Sequence, residues 1–262
     1  MHKTIIMKGG LGNQFFQYSF SLYLKKKFKN DKIFLNFSSF NNHKNDNNEI
    51  FVPRILDYNI SYIEKKSLRD SSLIIFFLAK LFNYRYSLKL VSFFHPKILK
   101  QDRVYTVLKE KLSKISLYDG YWQNMDYVDE IEDELRNHLI YKGTLSENAL
   151  LEKRRILSDK NSVFIGFRLG DYTDRKLKNK YGTVDISYFK KAIDIIKKRI
   201  DNPTFYIFSN DMHWVKKNMV FEDLNFVLIE NINNPQEELE LMRSCSNAII
   251  MNSTFHWWGA FL

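Results

Sequence analysis

A chain of 262 residues with 45% hydrophobic and 27% charged residues has an ordinary globular balance, neither disordered nor fibrous, and can bury one large core or two modest ones. Its single cysteine, Cys245, excludes an intramolecular disulfide framework and a cysteine zinc cluster, which points to a reducing compartment. The net charge of +10 suits nucleic acid, an anionic membrane face or a phosphate-rich ligand.

The opening reads as strand, glycine turn, helix. Thr4–Met7 is a short apolar run with no signal-peptide pattern around it, so a cytoplasmic protein is expected. Gly9-Gly10-Leu11-Gly12 is the turn, and Phe16, Phe20, Tyr23 and Leu24 recur on one face of a helix running from about Asn13 to Phe28. Lys25, Lys26 and Lys27 close that helix, where its dipole favours cations. Residues 36–48 read as an Asn- and Ser-rich loop. Leu73–Phe82 contains Lys80 and is too short to span a bilayer. Followed by Arg85, Lys89, Lys97 and Lys100, it reads either as a buried helix or as one lying on a membrane surface. No basic block with interleaved aromatics resembles a nucleic-acid module, so no nucleic-acid partner is expected.

The last hundred residues are more regular. Val163–Arg168, Thr204–Phe208, Phe226–Ile229 and Ala248–Asn252 read as strands. Between them lie a helix with the stripe Phe189, Ala192, Ile193, Ile196 and Ile200, and another with Pro235 at its first position after Asn234. This alternation gives an α/β protein with parallel sheets covered on both faces. Ligands bind such sheets at the C-terminal ends of the strands, here the loops after Met7, Arg168, Phe208 and Asn252.

Four segments carry chemistry. Gly9–Gln14 is either an anion cradle at a helix N-terminus or a tight turn. It is no dinucleotide fingerprint, because Phe15 stands where the third glycine belongs, and it lacks the Lys-Ser/Thr ending of a P-loop. In Ile165–Tyr172, Arg168 ends a strand with a guanidinium shaped for phosphate oxygens, and Asp171 either holds that Arg or acts on substrate. Glu237 and Glu238 precede an apolar helical stripe and by pattern are merely solvated. Asn252, Ser253, Thr254 and Phe255 open a last helix whose hydroxyls and N–H groups suit a phosphate, with Trp257 and Trp258 behind them as packing. The chain contains no Asp-x-Asp, and its six His show no metal-ligand spacing, so no metal or other cofactor is expected.

In this order, MKGGLGNQFFQYSFSLYL, DGYWQN (119–124), IGFRLGDY, SYFKKAID, FYIFSND and ELELMRSCSNAIIMNSTFHWWGAFL resemble glycosyltransferase family 11, the bacterial α-1,2-fucosyltransferases. The resemblance implies a GT-B architecture of two Rossmann-like domains facing across a cleft, expected at 1–157 and 158–262. It implies inverting transfer of L-fucose from GDP-β-L-fucose to a galactosyl 2-hydroxyl of a surface oligosaccharide such as an O-antigen unit. The acceptor would be free or lipid-linked, with peripheral contact to the cytoplasmic face of the inner membrane.

By the same resemblance Asn13, with Gly10, Gly12 and Gln14 around it, would reach the fucose and diphosphate. Arg168 would neutralise the β-phosphate, Ser253 and Thr254, flanked by Asn252 and Phe255, would bind the diphosphate, and Glu238 would bind guanine. Ser209 and Asp211 match a Ser-Asp-Asp block of the donor site, and Arg168, Asn13 and Asp171 form the catalytic set. Three departures stand out. Gly166 and Leu169 replace a His and a second Arg of the family's His-x-Arg-Arg-Gly-Asp, which should weaken diphosphate binding and leaves open a member that binds GDP-sugar without transfer. Glu stands for Asp at 238, and Asn stands at 210. The family also usually runs some tens of residues beyond the segment that here ends at Leu262, so the expectation is either a truncated gene or an absent closing strand and helix, with stability and activity in question.

Overall fold

The computed structural model describes residues 2–41, 52–60, 64–66, 98–100, 112, 116–169, 186–219, 224–232 and 234–262. They fall into two compact units, Met1–Lys142 and Gly143–Leu262. Leu73–Phe82 and the basic residues after it, apart from Lys100, lie outside the described residues.

The first unit opens with β1 (His2–Ile6), α1 (Leu11–Lys27) and β2 (Lys32–Asn36). It continues with β3 (Glu64–Lys66), β4 (Ile98–Lys100), β5 (Leu117–Asp119), α2 (Met125–Asp129) and α3 (Glu132–His138). Among the described residues its strands pair in parallel, in the order β3-β2-β1-β5-β4. Three of these strands lie in the stretch where the sequence pattern is mixed, each only three residues long. Asn36, expected to start a loop, instead ends β2, and Ser38–Asn41 forms one tight 3₁₀ turn.

Helix α1 departs from its expected one-faced stripe, since Leu11, Gly12 and every residue from Gln14 to Leu24 are buried. Its polar side chains can go inside because they satisfy backbone groups. Ser19 Oγ donates to Phe15 O at 2.9 Å, Ser21 Oγ to Tyr18 O at 2.6 Å, and Gln17 Nε2 to Gly120 O at 3.1 Å. Lys25 donates to the carbonyls of Lys29 and Asp31, and Lys26 to that of Glu130, so two of the closing lysines do satisfy carbonyls near the helix end.

The second unit contains α4 (Glu147–Ser158), β6 (Ser162–Phe167), α5 (Ile186–Arg199), β7 (Thr204–Ser209) and α6 (Met212–Asn218). After them come β8 (Asn225–Leu228), α7 (Pro235–Met242), β9 (Asn247–Ile250) and α8 (Thr254–Phe261). The strands pair in parallel in the order β8-β7-β6-β9. Residues 163, 165 and 167 of β6 enter a core with Phe189 and Ile193 of α5, while Phe164 enters another with Leu241 and Met242 of α7. Helices on both faces thus explain why the strand reads as a continuous apolar run. Asn234 caps α7 by accepting from Gln236 N at 2.9 Å, with Pro235 in the first turn as expected. A Cβ on Gly259 would lie 2.8 Å from Met242 Cβ, so the glycine lets α8 approach α7 closely.

Among the described strands, each sheet extends to both sides of its first strand. In the first, the chain leaves β1 toward β2 and β3, and β5 lies on the other side of β1; in the second, β7 and β8 extend one way from β6 and β9 lies on the other. Such reversals open a crevice at the strand C-termini. The loops at these two reversals are Met7–Gly10 with Gly120–Asn124, and Arg168–Leu169 with Met251–Ser253. Both contain the sequence-derived site residues.

Candidate functional site

At the β1/β5 reversal the glycine loop is a braced structure. Gly9 has φ +79°, a left-handed conformation that suits glycine, and Gly10 forms the extended cap of α1. The amide of Gln14 is committed at both ends: Nε2 donates to Gly9 O at 2.8 Å and Val52 O at 3.0 Å, and Oε1 accepts from Ile55 N at 3.0 Å. Gln14 therefore shapes the loop from within. Gly12 is buried in the first turn of α1, and Asn13 beside it is only partly buried.

The DGYWQN segment, to which the sequence assigned no role, forms the facing wall. Gln123 Nε2 donates to Asn13 Oδ1 at 2.8 Å. Asp119 pairs with Lys8, whose ammonium lies 5.2 Å from the Tyr121 ring centroid. Trp122 adopts φ 55° and stacks on Phe20 with centroids 4.2 Å apart. Spacing gives no hint of that positive φ, since a Trp rarely adopts it.

The β6/β9 reversal collects most of the other predicted residues. Arg168 follows β6 directly, and its backbone N–H contacts the Met251 sulfur at 3.3 Å, joining the two strand ends. Ser253 caps α8, accepting weakly from His256 N at 3.4 Å, so Thr254 and Phe255 stand in the first turn with Asn252 just before it. Helix N-termini of this kind favour anions.

Glu237 and Glu238 separate in role. Glu237 is buried and accepts from Ser146 N at 2.6 Å and Ser146 Oγ at 3.1 Å, tying α7 to the start of α4. Glu238 carries the perturbed carboxyl: burial pushes its pKa up to about 7, against the opposing pull of the Arg168 charge. The pattern expectation of a solvated Glu238 is thus replaced by a largely buried acid within electrostatic reach of Arg168. A perturbed carboxyl beside a cation at a strand edge marks a candidate binding group.

The Ser209–Asp211 block serves the scaffold. Ser209 Oγ accepts from Asp211 N at 3.0 Å, and Asp211 caps α6 by accepting from Trp214 N at 2.9 Å. Asn210 Oδ1 accepts from Leu169 N at 2.7 Å, so the departure at 210 holds the loop after β6. Asp171 lies outside the described residues.

The two positions where a loss was expected are both filled. Leu169 is buried in the core with Phe167 and Phe189, which accounts for an apolar residue there. At Gly166, a Cβ would lie 2.5 Å from His256 Nδ1 and 2.6 Å from its Cγ, so the His256 imidazole occupies the space a side chain would need. Burial, with a smaller contribution from Arg168, pushes the His256 pKa down to about 3 and keeps the ring neutral. Sequence reasoning missed His256, although a glycine inside the apolar run VFIGF signals close approach by another group. Trp258 is fully buried, and Trp257 stacks on Phe261 at 5.0 Å, so the tryptophan pair packs as expected.

The family model for glycosyl transferase family 11 matches residues 2–262. An α-1,2-colitosyltransferase of Escherichia coli is 27% identical over 259 residues, 98% of this chain and 86% of that protein. The O-antigen biosynthesis glycosyltransferase WbnK of Escherichia coli is also 27% identical, over 98% of this chain and 88% of its own length. Among solved structures, the NodZ α-1,6-fucosyltransferase co-crystallized with GDP superposes with a TM-score of 0.53 at 8% identity, covering 99% of this chain and 92% of that one. That likeness places the fold in the GT-B class. Among the described residues no helix is long and apolar enough to cross a membrane.

Proposed function

The chain belongs to glycosyltransferase family 11, and from that membership we propose that it transfers a GDP-linked 6-deoxyhexose, L-fucose in the first instance, to the 2-hydroxyl of a galactosyl unit. The observation that carries this reading is the β6/β9 strand edge, where Arg168 follows β6 and the Ser253-capped α8 follows β9, with Glu238 of α7 within the electrostatic reach of Arg168. A cation and helix N–H groups suit a diphosphate; a carboxylate suits the adjacent N1–H and 2-amino donors of guanine and rejects the uracil edge.

In the proposed reaction the acceptor oxygen attacks the anomeric carbon as the bond from that carbon to the β-phosphate oxygen breaks, inverting the centre, and the hydroxyl proton passes late to the departing diphosphate. Negative charge grows on the departing GDP. Arg168 and the first turn of α8 meet it there, a task for which fixed electrostatics suffice without a metal ion. Asn13, held by Gln123, is the residue that family resemblance assigns to the transferred sugar. The filled space at Gly166 and the packed Leu169 support the active reading over one that only binds GDP-sugar, since neither departure leaves a hole.

The relatives' names extend the donor class to colitose, which is L-fucose without its 3-hydroxyl, and suggest an O-antigen acceptor. The test is to incubate purified protein with GDP-fucose or GDP-colitose and a panel of galactose-terminated oligosaccharides. GDP release and an α-1,2 linkage by NMR are expected. Folded protein that binds GDP yet turns over on no acceptor would instead establish the binding-only reading.

A further inference from the structure

Gly166 lies in the central strand of its sheet, paired with Phe208 on one side and Ile250 on the other. Its missing side chain is replaced by a ring from another element. The Nδ1, Cγ and Cδ2 atoms of His256 lie 2.5, 2.6 and 2.9 Å from where a Cβ would be. His256 is only 5% exposed, and its Nδ1 has no hydrogen-bond partner among the described residues.

A buried ring nitrogen without a partner is costly, and a phenylalanine would fill much of the same volume without that cost. The location suggests why an imidazole stands there. His256 lies in the first turn of α8, its N–H under the Ser253 cap, at the strand edge where Arg168 follows β6. Arg168 acts on the ring electrostatically, so the two side chains share one neighbourhood.

We propose that His256 is a positioning residue of the anion site at the β6/β9 edge. Its neutral imidazole, seated on the space left by Gly166, locks the first turn of α8 to β6 and gains its missing hydrogen bond when a diphosphate binds beside Arg168. Gly166 and His256 then work as one unit: a single volume that holds an imidazole delivered from the helix rather than a side chain delivered from the strand. This deepens the GDP-sugar reading and rests on it for the identity of the anion, not for the anion's existence.

Full-length protein is titrated with GDP and, separately, with inorganic pyrophosphate, and donor turnover is measured alongside. His256→Phe keeps the ring volume and removes the nitrogen. It is expected to melt within a few degrees of wild type yet bind both ligands at least tenfold more weakly, with the larger loss in kcat rather than KM. Gly166→His alone places two rings in one space and should lose binding further. Gly166→His combined with His256→Ser returns one imidazole to that volume from the strand side and is expected to recover most of the affinity. Wild-type affinity and turnover in His256→Phe would overturn the proposal, because the ring would then be packing alone. Wild-type protein that binds pyrophosphate in a His256-dependent manner but ignores GDP would sink the guanine reading and leave this proposal standing. Wild-type protein that binds neither ligand would sink both.

Discussion

The side-chain amide of Gln123 donates to the Asn13 side-chain oxygen at 2.8 Å, joining the loop after β5 to the first turn of α1. This bond fixes which way the Asn13 amide points, and it lies in a different unit from Arg168 and Glu238. Gln123→Ala is therefore expected to lower kcat by about tenfold, the loss of one oriented hydrogen bond, while GDP affinity stays unchanged. Paired kinetics and GDP titration check it; a matching fall in GDP affinity would contradict the assignment.

Gly9 has φ +79°, and a Cβ there would meet Asn13 Nδ2 at 3.0 Å. Gly9→Ala should cost about 1–2 kcal/mol from the left-handed backbone alone, read as a lowered Tm. Transfer should fall further than stability does, because the added methyl also pushes on Asn13.

Glu237 and Glu238 adjoin in sequence but should respond oppositely. Glu237→Ala leaves the Ser146 N–H and hydroxyl without their acceptor and should cost about 1–3 kcal/mol, with GDP affinity intact. Glu238→Ala removes a largely buried acid, so stability should hold or rise while GDP affinity falls at least tenfold. Thermal melts and GDP titrations on both variants separate the roles.

The pH dependence follows from Glu238. Its pKa rises in the fold from 4.5 to about 7, so the folded protein holds a proton that the unfolded chain has released between those values. Its contribution to stability is full below 4.5 and is lost as pH climbs to about 7, at a slope of up to about 1.4 kcal/mol per pH unit. His256 acts in the opposite sense: kept neutral by burial, it costs stability as pH falls below 6.5. The proposed guanine contact uses the Glu238 carboxylate, so GDP affinity should rise between about pH 6 and pH 8, with proton release on binding. Glu238→Gln should flatten that rise; an affinity that falls with pH in the wild type would contradict it.

Chelation checks the proposed metal independence. Transfer in excess EDTA should match transfer without it, whereas a loss restored by Mg²⁺ or Mn²⁺ would place a metal at the diphosphate.

The second unit is the more legible in sequence, because its central strands β6 and β7 are buried as apolar runs and its helices α4 and α7 carry side-chain caps. Asn234 with Pro235 marks one helix start by residue type alone, and Ser253 marks another. The first unit hides its strands: β3, β4 and β5 are three residues each, too short to show a period, and α1 is buried all round by means of serines and glutamines that bond to backbone. At the site, Arg168 and the Ser253 cap are readable as types at a strand end and a helix start. Glu238 is not, since residue type does not separate it from Glu237, whose carboxylate is taken up by Ser146. His256 and Gln123 are invisible because each acts on a residue about ninety or more positions away, on Gly166 and Asn13.

The central claim is that the β6/β9 edge reads a guanosine diphosphate. Calorimetric titration of the purified chain with GDP and with UDP tests it most directly. One GDP should bind per chain, UDP should bind at least tenfold more weakly, and Glu238→Ala should erase the difference. Equal binding of the two nucleotides by the wild type, or none of GDP, would contradict it.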